Sequence, residues 1–196
     1  MVKEIQYKSL FPKLERPAKD LFNQLQASFL KSEYVDQVKY RVKSIHSFSK
    51  KSKTMNKDGT FKYNSPVSEI QDQIGIRIVV KYRSNITPAT TKILKLFAIV
   101  EDRFAEPEDP TSFGYEGKKI ICLIPRAMVE KYSLPIDFFE IQICTLFQYA
   151  WAEANHDLGY KPAAALTREK KRKMAWAAAQ AWGADQIFDE ISKKTS

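Results

Sequence analysis

The chain has 196 residues, of which 44% are hydrophobic, and this size predicts one domain over residues 1–196 with a full apolar core. Its formal net charge of +9 favours anionic partners such as nucleotides, nucleic acid or acidic lipid. The sequence contains no apolar run of about 20 residues and opens without the apolar stretch of a signal peptide, so we expect no membrane partner. Cys122 and Cys144 lack the spacing of a zinc site, which favours free thiols in a reducing cytoplasm.

Periodicity and turn residues divide the chain into helices, strands and loops. The predicted helices are residues 14–33, a segment around Ile93, residues 146–160 and residues 167–193. The predicted strands are 74–82, 119–125, 136–144 and a short strand within 38–45 that is followed by a turn or the start of a helix. The predicted loops are 52–66 and 106–118. This order predicts an α/β (α+β) domain in which helices flank a mixed β-sheet.

Two carboxylates are candidates for a metal site. Asp72 comes directly before the strand 74–82, at a sheet end of the kind where α/β domains keep their sites. In the strand 136–144, alternation directs Glu140 and Gln142 to one face. Buried acids are rarely without a partner, and two carboxylates with phosphate oxygens and waters are an ordinary environment for Mg²⁺. The alternative is that Asp72 lies on the surface without a role.

Basic residues lie within the predicted strands and form two runs elsewhere in the chain. Arg77 lies among Ile and Val, so its charge requires a partner or a ligand, unless the side chain reaches solvent at a strand edge. From Lys39 to Lys62 the chain is rich in Lys and Arg, with Asp58 the only acid, and several of these residues share one side of a strand. A second basic run, over 168–173, is also typical of a solvated helix face.

The predicted helix 146–160 carries a polar pair on one face. Glu153 and His156 are three residues apart, so they are neighbours on the helix surface. They are candidates for ligand contact, and the alternative is that His156 merely donates a hydrogen bond to Glu153.

A glycine-containing loop offers an aromatic surface. In the stretch FGYEGKK, Gly114 and Gly117 flank Tyr115, whose ring can stack on a base. The adjacent Lys118 and Lys119 can neutralise phosphate. The loop matches neither a P-loop nor a dinucleotide fingerprint.

From about Val38 to Lys161 the chain resembles the alarmone synthetase domain of RelA/SpoT-type proteins, in its small single-domain form. The stretch FEIQICTLFQYAWAEANHDLGYK is similar to the family's EIQIRT, W-A-x-x-x-H and Y-K. DQIGIRI is similar to D-I-x-G-x-R, and YRVKSIHSFSKK to a basic cluster near the first strand. The resemblance implies a nucleotidyltransferase-like fold, and transfer of the β,γ-pyrophosphate of ATP to the ribose 3′-hydroxyl of GDP or GTP with Mg²⁺ as cofactor.

The resemblance also implies a role for each candidate residue. Asp72 and Glu140 are the implied catalytic residues and metal ligands, with Glu140 also at the attacking hydroxyl. The implied ATP-binding residues are Arg41, Lys43, Ser47, Lys51 and Arg77. The implied acceptor-binding residues are Tyr115, Lys118, Lys119, Gln142, Glu153 and His156, with Tyr115 stacked on the acceptor's base.

The acceptor side departs from the family pattern at three positions. The family loop usually reads G-Y-x-S-x-H, and Gly117 and Lys119 stand where its Ser and His would be, while Cys144 replaces the arginine of EIQIRT. We favour GDP or GTP, the usual acceptor of the family. Because of these departures we keep an alternative, a toxin that pyrophosphorylates the 3′ end of tRNA or adenine nucleotides and has an antitoxin partner. A polyanionic acceptor also suits the net charge.

Two further questions stay open at the level of sequence. A module that binds a nucleotide or RNA without catalysis is a third hypothesis. Oligomerisation is possible, because the apolar face around Trp176 and Trp182 suits either a core or an interface.

Overall fold

The computed structural model describes residues 2–160 and 167–194, and these form helices around one mixed sheet. The helices are α1 (Val2–Phe29), α2 (Ile45–Ser52), α3 (Pro66–Glu69), α4 (Ile86–Leu94), α5 (Arg126–Tyr132), α6 (Leu146–Tyr160) and α7 (Arg168–Lys194). The strands are β1 (Val35–Val42), β2 (Ile74–Val80), β3 (Ile99–Ala105), β4 (Gly117–Leu123) and β5 (Phe138–Thr145). The predicted fold class, a mixed sheet flanked by helices, is confirmed.

The two central strands are parallel and all other pairs are antiparallel. The strand order is β1-β2-β5-β4-β3, with β2 and β5 as the parallel pair. Gly75 lies opposite Glu140 and Arg77 lies opposite Gln142, while Arg41 of β1 lies opposite Gly75. Because alternate side chains of a strand share a face, these charged and polar residues lie on the same side of the sheet. We call that side the polar face.

The opposite face of the sheet carries the hydrophobic core. Alternate residues of β2 and β5, such as Ile76, Ile78, Ile141 and Ile143, are buried there. They pack with one face of α1 and with buried residues of α2 and α4. The members from these helices include Tyr7, Leu14, Leu21, Leu25, Phe48 and Ile93. The core is therefore concentrated on one side of the sheet, and the polar face is left for α6 and α7.

The first helix differs from the prediction of 14–33, since it runs over Val2–Phe29. Tyr7 continues its buried face towards the N-terminus, and the Tyr7 ring stacks on Phe48 of α2 with ring centroids 3.8 Å apart. Pro12 and Pro17 lie within the helix. Proline destabilises the interior of a helix. Packing against the core, and not local preference, therefore determines where this helix begins.

Besides the single turn α3, the strand β3 and the helix α5 were not predicted. β3 has the sequence IVEDRFA and its side chains are mostly exposed or partly exposed, as expected of a strand at the sheet edge. It pairs with β4 across a register irregularity between Ile99 and Glu101. The short helix α5 ends at Ser133, whose φ of 48° is left-handed. The local sequence patterns of β3 and α5 are weak, because pairing and packing with distant segments stabilise these two elements.

The remaining predictions need only small corrections. α6 has the predicted bounds, whereas the strand predicted within 38–45 covers Val35–Val42. Ile45 begins α2, in agreement with the predicted turn or helix start. The predicted loop 52–66 is followed at once by the single turn α3 and contains an isolated bridge between Met55 and Phe61. The strand predicted at 119 begins at Gly117 instead, so the preceding loop is shorter than expected.

The final helix, α7, has both buried and exposed apolar residues. Ala178 is buried, and Trp182 packs edge-to-face on Phe113 at 5.8 Å, whereas the Trp176 side chain is 66% exposed. Part of the helix face is therefore internal. Within residues 2–160 and 167–194, none of the helices combines the length and the apolar character needed to cross a membrane.

We predict that Leu14→Ala lowers the free energy of unfolding by about 2–5 kcal/mol, because it leaves a cavity between α1 and the sheet. Leu14 is fully buried in the core cluster. Leu30→Ala is the matched control, since Leu30 follows α1 and is 80% exposed. Urea denaturation followed by circular dichroism measures both, and equal losses for the two variants would contradict the assigned core.

Candidate active site

A cleft of about 490 Å³ opens between the polar face and α6. Its volume is in the range of small-molecule binding sites. Eight of the residues selected from the sequence line this cleft: Arg41, Arg77, Tyr115, Lys119, Glu140, Gln142, Glu153 and His156. They come from four strands, from the loop before β4 and from α6, so the fold gathers positions as far apart in the chain as Arg41 and His156.

Arg77 lies at the centre of the hydrogen bonds in this cleft. Its Nη1 donates to Glu153 Oε1 at 2.6 Å, and its Nη2 donates to Gln142 Oε1 at 3.3 Å. Gln142 Nε2 in turn donates to Glu140 Oε1. The prediction that the Arg77 charge requires a partner is confirmed, and that partner is Glu153. The chain of contacts holds Glu140 and Gln142 in place on β5 and joins them to α6.

A second polar cluster lies at the start of β2, where two lysines hold Asp72. Lys43 Nζ is 2.8 Å from Asp72 Oδ2 and Lys51 Nζ is 3.0 Å from Asp72 Oδ1. The Lys43 and Asp72 side chains are only 11% and 14% exposed. Burial acts to raise the pKa of Asp72, but the hydrogen bonds and charges of Lys43 and Lys51 outweigh it and lower the pKa. Asp72 is therefore an ionised, partly buried carboxylate.

The backbone of Lys43 is fixed by the core. Its N–H donates to the carbonyl of Gln73 at 2.8 Å, and its carbonyl accepts from the Tyr7 hydroxyl at 2.7 Å. Ser47, at the start of α2, accepts a hydrogen bond from Ser44 Oγ at 2.9 Å. Lys43 therefore belongs with Asp72, Ser47 contacts Ser44 at the start of α2, and neither is among the residues that line the cleft.

One predicted acceptor residue lies on the other face of the sheet. Lys118 alternates with Lys119 along β4, so the two side chains point to opposite faces. Lys118 Nζ pairs with Asp102 Oδ1 of β3 at 2.5 Å. Lys119 remains in the cleft, opposite Gln142 in the β4–β5 pairing.

The cleft also contains residues that were not selected from the sequence. Lys39 lines it and donates a hydrogen bond to the hydroxyl of Tyr149 on α6, while the Arg77 guanidinium lies over the Tyr149 ring, 5.6 Å from its centroid. Trp151 and Asn155 line the cleft as well. The alternation of Lys39 with Arg41, and the four-residue spacing of Tyr149 and Glu153, are the sequence signals that indicate these positions.

The loop before β4 is anchored next to Tyr115. The Glu116 carboxylate pairs with Arg83 at 2.6 Å, and the Glu116 N–H donates to Gln148 Oε1 at 3.0 Å. The Gln148 N–H donates to Thr145 Oγ1 at 3.2 Å, and that hydroxyl donates to Asp185 Oδ2 of α7 at 2.7 Å. A polar network thus connects the final helix to the loop that carries Tyr115.

Asp185 is the buried end of this network, with 2% of its surface exposed. Burial raises the pKa of the Asp185 carboxyl, although the Thr145 hydrogen bond and the Arg83 charge act to lower it. No periodic pattern in the sequence marks Asp185 for this position, because α7 reaches the loop only after the chain has folded.

The sheet order and the cleft beneath α6 define a small α+β protein with a charged cleft of small-molecule size. Residues 40–165 match the family model described as the region found in RelA / SpoT proteins. The chain therefore belongs to the RelA/SpoT family, as the resemblance predicted.

Known proteins agree with this assignment. The chain is 29% identical over 158 residues to the GTP pyrophosphokinase YjbM of Bacillus subtilis (strain 168), which covers 77% of this chain and 69% of that protein. The crystal structure of the small alarmone synthetase 1 from Bacillus subtilis matches with a TM-score of 0.77 and 21% identity, over 97% of each chain. A structure of that synthetase bound to its product pppGpp also matches with a TM-score of 0.77, at 23% identity over 97% of this chain and 98% of that one. These structures share the fold of this chain.

We predict that Asp72→Asn lowers the free energy of unfolding at pH 7 by about 2 kcal/mol, because it removes the charged partner of two lysines. The pKa of Asp72 is lowered in the folded state, so its stabilisation is present above the ordinary value of 3.8 and is lost as the pH falls through the folded pKa. The difference between variant and wild type should therefore shrink towards about pH 2.

Urea unfolding in the presence of EDTA measures this difference without any contribution from a bound metal. Asp36→Asn is the control, because Asp36 is an exposed aspartate of β1. A destabilisation by Asp72→Asn that is the same at pH 7 and at acid pH would contradict the ion-pair assignment.

Proposed function

We propose that this protein transfers the β,γ-pyrophosphate of ATP to the ribose 3′-hydroxyl of GDP or GTP, giving (p)ppGpp. The observation that carries the proposal is that the family-matched residues 40–165 contain both the cleft around Glu140 and Arg77 and the cluster around Asp72. Two similar proteins support the same reaction: one is a GTP pyrophosphokinase, and the other is a small alarmone synthetase bound to its product pppGpp. The proposal includes a cytoplasmic location, supported by two buried cysteines that are free thiols.

The donor side consists of basic residues on β1, β2 and α2. Arg41 and Arg77 line the cleft, and Lys43 and Lys51 lie beside it around Asp72, with Ser47 on the same helix as Lys51. The triphosphate of ATP is a polyanion, and phosphoryl-type transfer depends mainly on positioning and on neutralising charge. These four basic side chains, near the start of the parallel strands β2 and β5, can provide that neutralisation.

Asp72 and Glu140 would hold Mg²⁺. The lowered pKa keeps Asp72 ionised, and Glu140 lies on the neighbouring parallel strand with its carboxylate towards the cleft. In the part of the chain that the structure describes, no three His, Cys, Asp or Glu side chains gather at one point, so phosphate oxygens and waters would complete the coordination. This donor set fits Mg²⁺, which usually keeps waters and few protein ligands. When bound, the ion supplies neutralisation of charge on the phosphate oxygens.

The reaction forms one bond and breaks one. The 3′-hydroxyl oxygen of the acceptor attacks the β-phosphorus of ATP, and the bond between that phosphorus and the oxygen bridging to the α-phosphate breaks, so AMP leaves. Glu140 takes the proton of the hydroxyl, and the hydrogen bond from Gln142 orients its carboxylate. Arg41 and Arg77 stabilise the negative charge that grows on the phosphate oxygens as AMP departs.

The acceptor side is formed by Tyr115, Lys119, Gln142, Glu153 and His156, all of which line the cleft. Lys118 has no part in it, because that side chain is directed to the other face and pairs with Asp102. A guanine nucleotide is the acceptor favoured by the relatives named above. They lend no support to tRNA as acceptor or to an antitoxin partner, and the experiment below retains tRNA as a separate substrate.

We expect Asp72→Asn and Glu140→Gln each to lower the rate of pyrophosphate transfer by about a hundredfold or more, since each removes a group that acts in the transition state. The measurement is chromatographic separation of products from γ-labelled ATP with GDP, with GTP and with deacylated tRNA. Glu108→Gln is the control, because Glu108 is exposed in the loop before β4. Label that appears only in the RNA would overturn the guanine nucleotide proposal, and full activity of Asp72→Asn would exclude its catalytic role.

Removal of divalent cations tests the metal proposal separately. EDTA should abolish product formation, and excess Mg²⁺ should restore it, because only two carboxylates of the protein hold the ion and its affinity is modest. Isothermal titration of Mg²⁺ in the presence of a non-hydrolysable ATP analogue measures binding directly. Unchanged turnover after chelation would contradict the assignment of Asp72 and Glu140 as metal ligands.

A further inference from the structure

One face of α7 reaches the loop that carries Tyr115 and the elements beside that loop. Trp182, Asp185 and Asp189 are spaced by three and four residues, so their side chains share one side of the helix. The Trp182 ring packs on Phe113 of the loop. Asp185 and Asp189 are only 2% and 7% exposed. Because a buried carboxyl without partners is costly, the contacts of these two acids show what α7 holds in place.

Asp185 orients a hydroxyl at the junction of β5 and α6. Thr145, the last residue of β5, donates from Oγ1 to Asp185 Oδ2 at 2.7 Å. The same oxygen accepts from the backbone N–H of Gln148, in the first turn of α6, at 3.2 Å. A hydroxyl has one proton to donate, so with that proton directed at Asp185 the lone pairs of Oγ1 are left for Gln148. Asp185 therefore fixes the hydroxyl to which the first turn of α6 is bonded.

Asp189 holds a second element beside the loop. Its Oδ1 accepts from the backbone N–H of Ser84 at 2.7 Å, in the short 3₁₀ turn Arg83–Asn85 that follows β2. Arg83, the preceding residue, donates from Nη1 to Glu116 Oε2 at 2.6 Å. Asp189 thus restrains the turn that presents the Arg83 guanidinium to the loop.

Both restraints meet at Glu116, the residue that follows Tyr115. Gln148 Oε1 accepts from the Glu116 N–H at 3.0 Å, and Arg83 binds the Glu116 carboxylate. One contact holds the backbone and the other holds the side chain, and each comes from an element that an aspartate of α7 contacts. The chain beside the Tyr115 ring is therefore fixed from two directions by one helix.

The donor cluster lies at the other end of the parallel strands. Val80 pairs with Thr145 at the carboxyl ends of β2 and β5, and the turn Arg83–Asn85 follows β2. Asp72, with the lysines that hold it, precedes β2. The two ends of this strand are roughly 20 Å apart, at the rise of an extended chain. A change at Asp185 can therefore shift the loop and leave the donor cluster in place.

We propose that α7 positions the loop for the acceptor nucleotide, with Asp185 as the positioning residue. Among residues 168–194 none lines the cleft, and this helix lies beyond residues 40–165 that match the family. Its effect on the reaction is indirect, since it passes through the hydrogen bonds described above to the backbone next to Tyr115. The identity of the acceptor rests on the proposed function, whereas the restraint of the loop does not.

Hydrogen exchange tests the restraint without any assay of activity. Asp185→Leu keeps the approximate shape of the side chain but accepts no hydrogen bond, so the Thr145 hydroxyl and then Gln148 lose their fixed orientation. Exchange of the Glu116 amide, measured by NMR, should become about tenfold faster, while the amides of Ile78 and Ile141 in the paired strands should change by less than about twofold.

Two further variants make the exchange measurement decisive. Thr145→Val breaks the same link from its other end by loss of one hydroxyl, and it serves if Asp185→Leu does not fold. Glu190→Gln is the matched control, because Glu190 is an exposed acid of α7 next to Asp189. Unchanged exchange of the Glu116 amide in a folded Asp185→Leu or Thr145→Val protein would overturn the proposal.

Steady-state kinetics test the effect on the acceptor. Asp185→Leu should raise the KM for GDP or GTP by about tenfold and leave the KM for ATP within about twofold, because only the loop is displaced. Partial unfolding would instead lower kcat through loss of active enzyme and leave both KM values unchanged. Asp185→Asn should recover most of the acceptor affinity, since its amide oxygen can accept from Thr145. An equal rise in both KM values, or a fall in kcat alone, would overturn the proposal.

A double-mutant cycle tests the route of the effect. Asp185→Leu and Thr145→Val remove the same hydrogen bond, so the double variant should have nearly the same acceptor KM as either single variant. Multiplication of the two effects in the double variant would overturn the route through Thr145.

The two proposals fail in different ways. If the wild-type protein forms no pyrophosphorylated guanine nucleotide at all, the proposed function fails, and exchange of the Glu116 amide still reports on the restraint by α7. If the wild-type protein is active on guanine nucleotides and the variants change neither exchange nor the acceptor KM, the role of α7 is excluded and the proposed function stands.

Discussion

The parallel pairing of β2 with β5 is the constraint on which the cleft depends. It places Gly75 opposite Glu140 and Arg77 opposite Gln142, so a basic strand segment lies beside an acidic one on the polar face. α6 follows β5 directly and returns across the same face, which brings Glu153 within 2.6 Å of Arg77. A shift of one residue in this pairing would turn the charged side chains into the core, so burial of the isoleucines on the other face fixes the register of the site.

The charges of the site form two groups with different surroundings. In the cleft, Arg77 shares its guanidinium between Gln142 and Glu153, and the Glu153 side chain is largely exposed to water. At the start of β2, Lys43 and Asp72 are mostly shielded, and the backbone of Lys43 is tied to Tyr7 of α1. Because a shielded ion pair is less screened than an exposed one, Asp72 is the acid whose charge the fold controls most firmly.

Support for the loop that carries Tyr115 comes from outside the family-matched region. Residues 40–165 match the family, whereas Asp185 and Trp182 belong to α7. Asp185 reaches the loop through Thr145 and Gln148, and Trp182 packs on Phe113. The final helix thus positions a loop whose own sequence departs from the family pattern.

The sequence by itself determined the fold class, the family, the bounds of α6 and the alternation that directs Glu140 and Gln142 to one face, because periodicity and ordered motifs are local properties of the chain. Only the tertiary structure decided the rest. It extended α1 back through Pro12, added α3, β3 and α5, separated Lys118 from Lys119 and revealed Lys39 in the cleft, in contact with Tyr149. Each of these depends on contacts between distant segments, and such contacts override local preference when enough surface is buried. The same reason applies to Gly117: the sequence shows that it is small, and only the folded sheet shows that the Tyr115 phenol lies where its side chain would be.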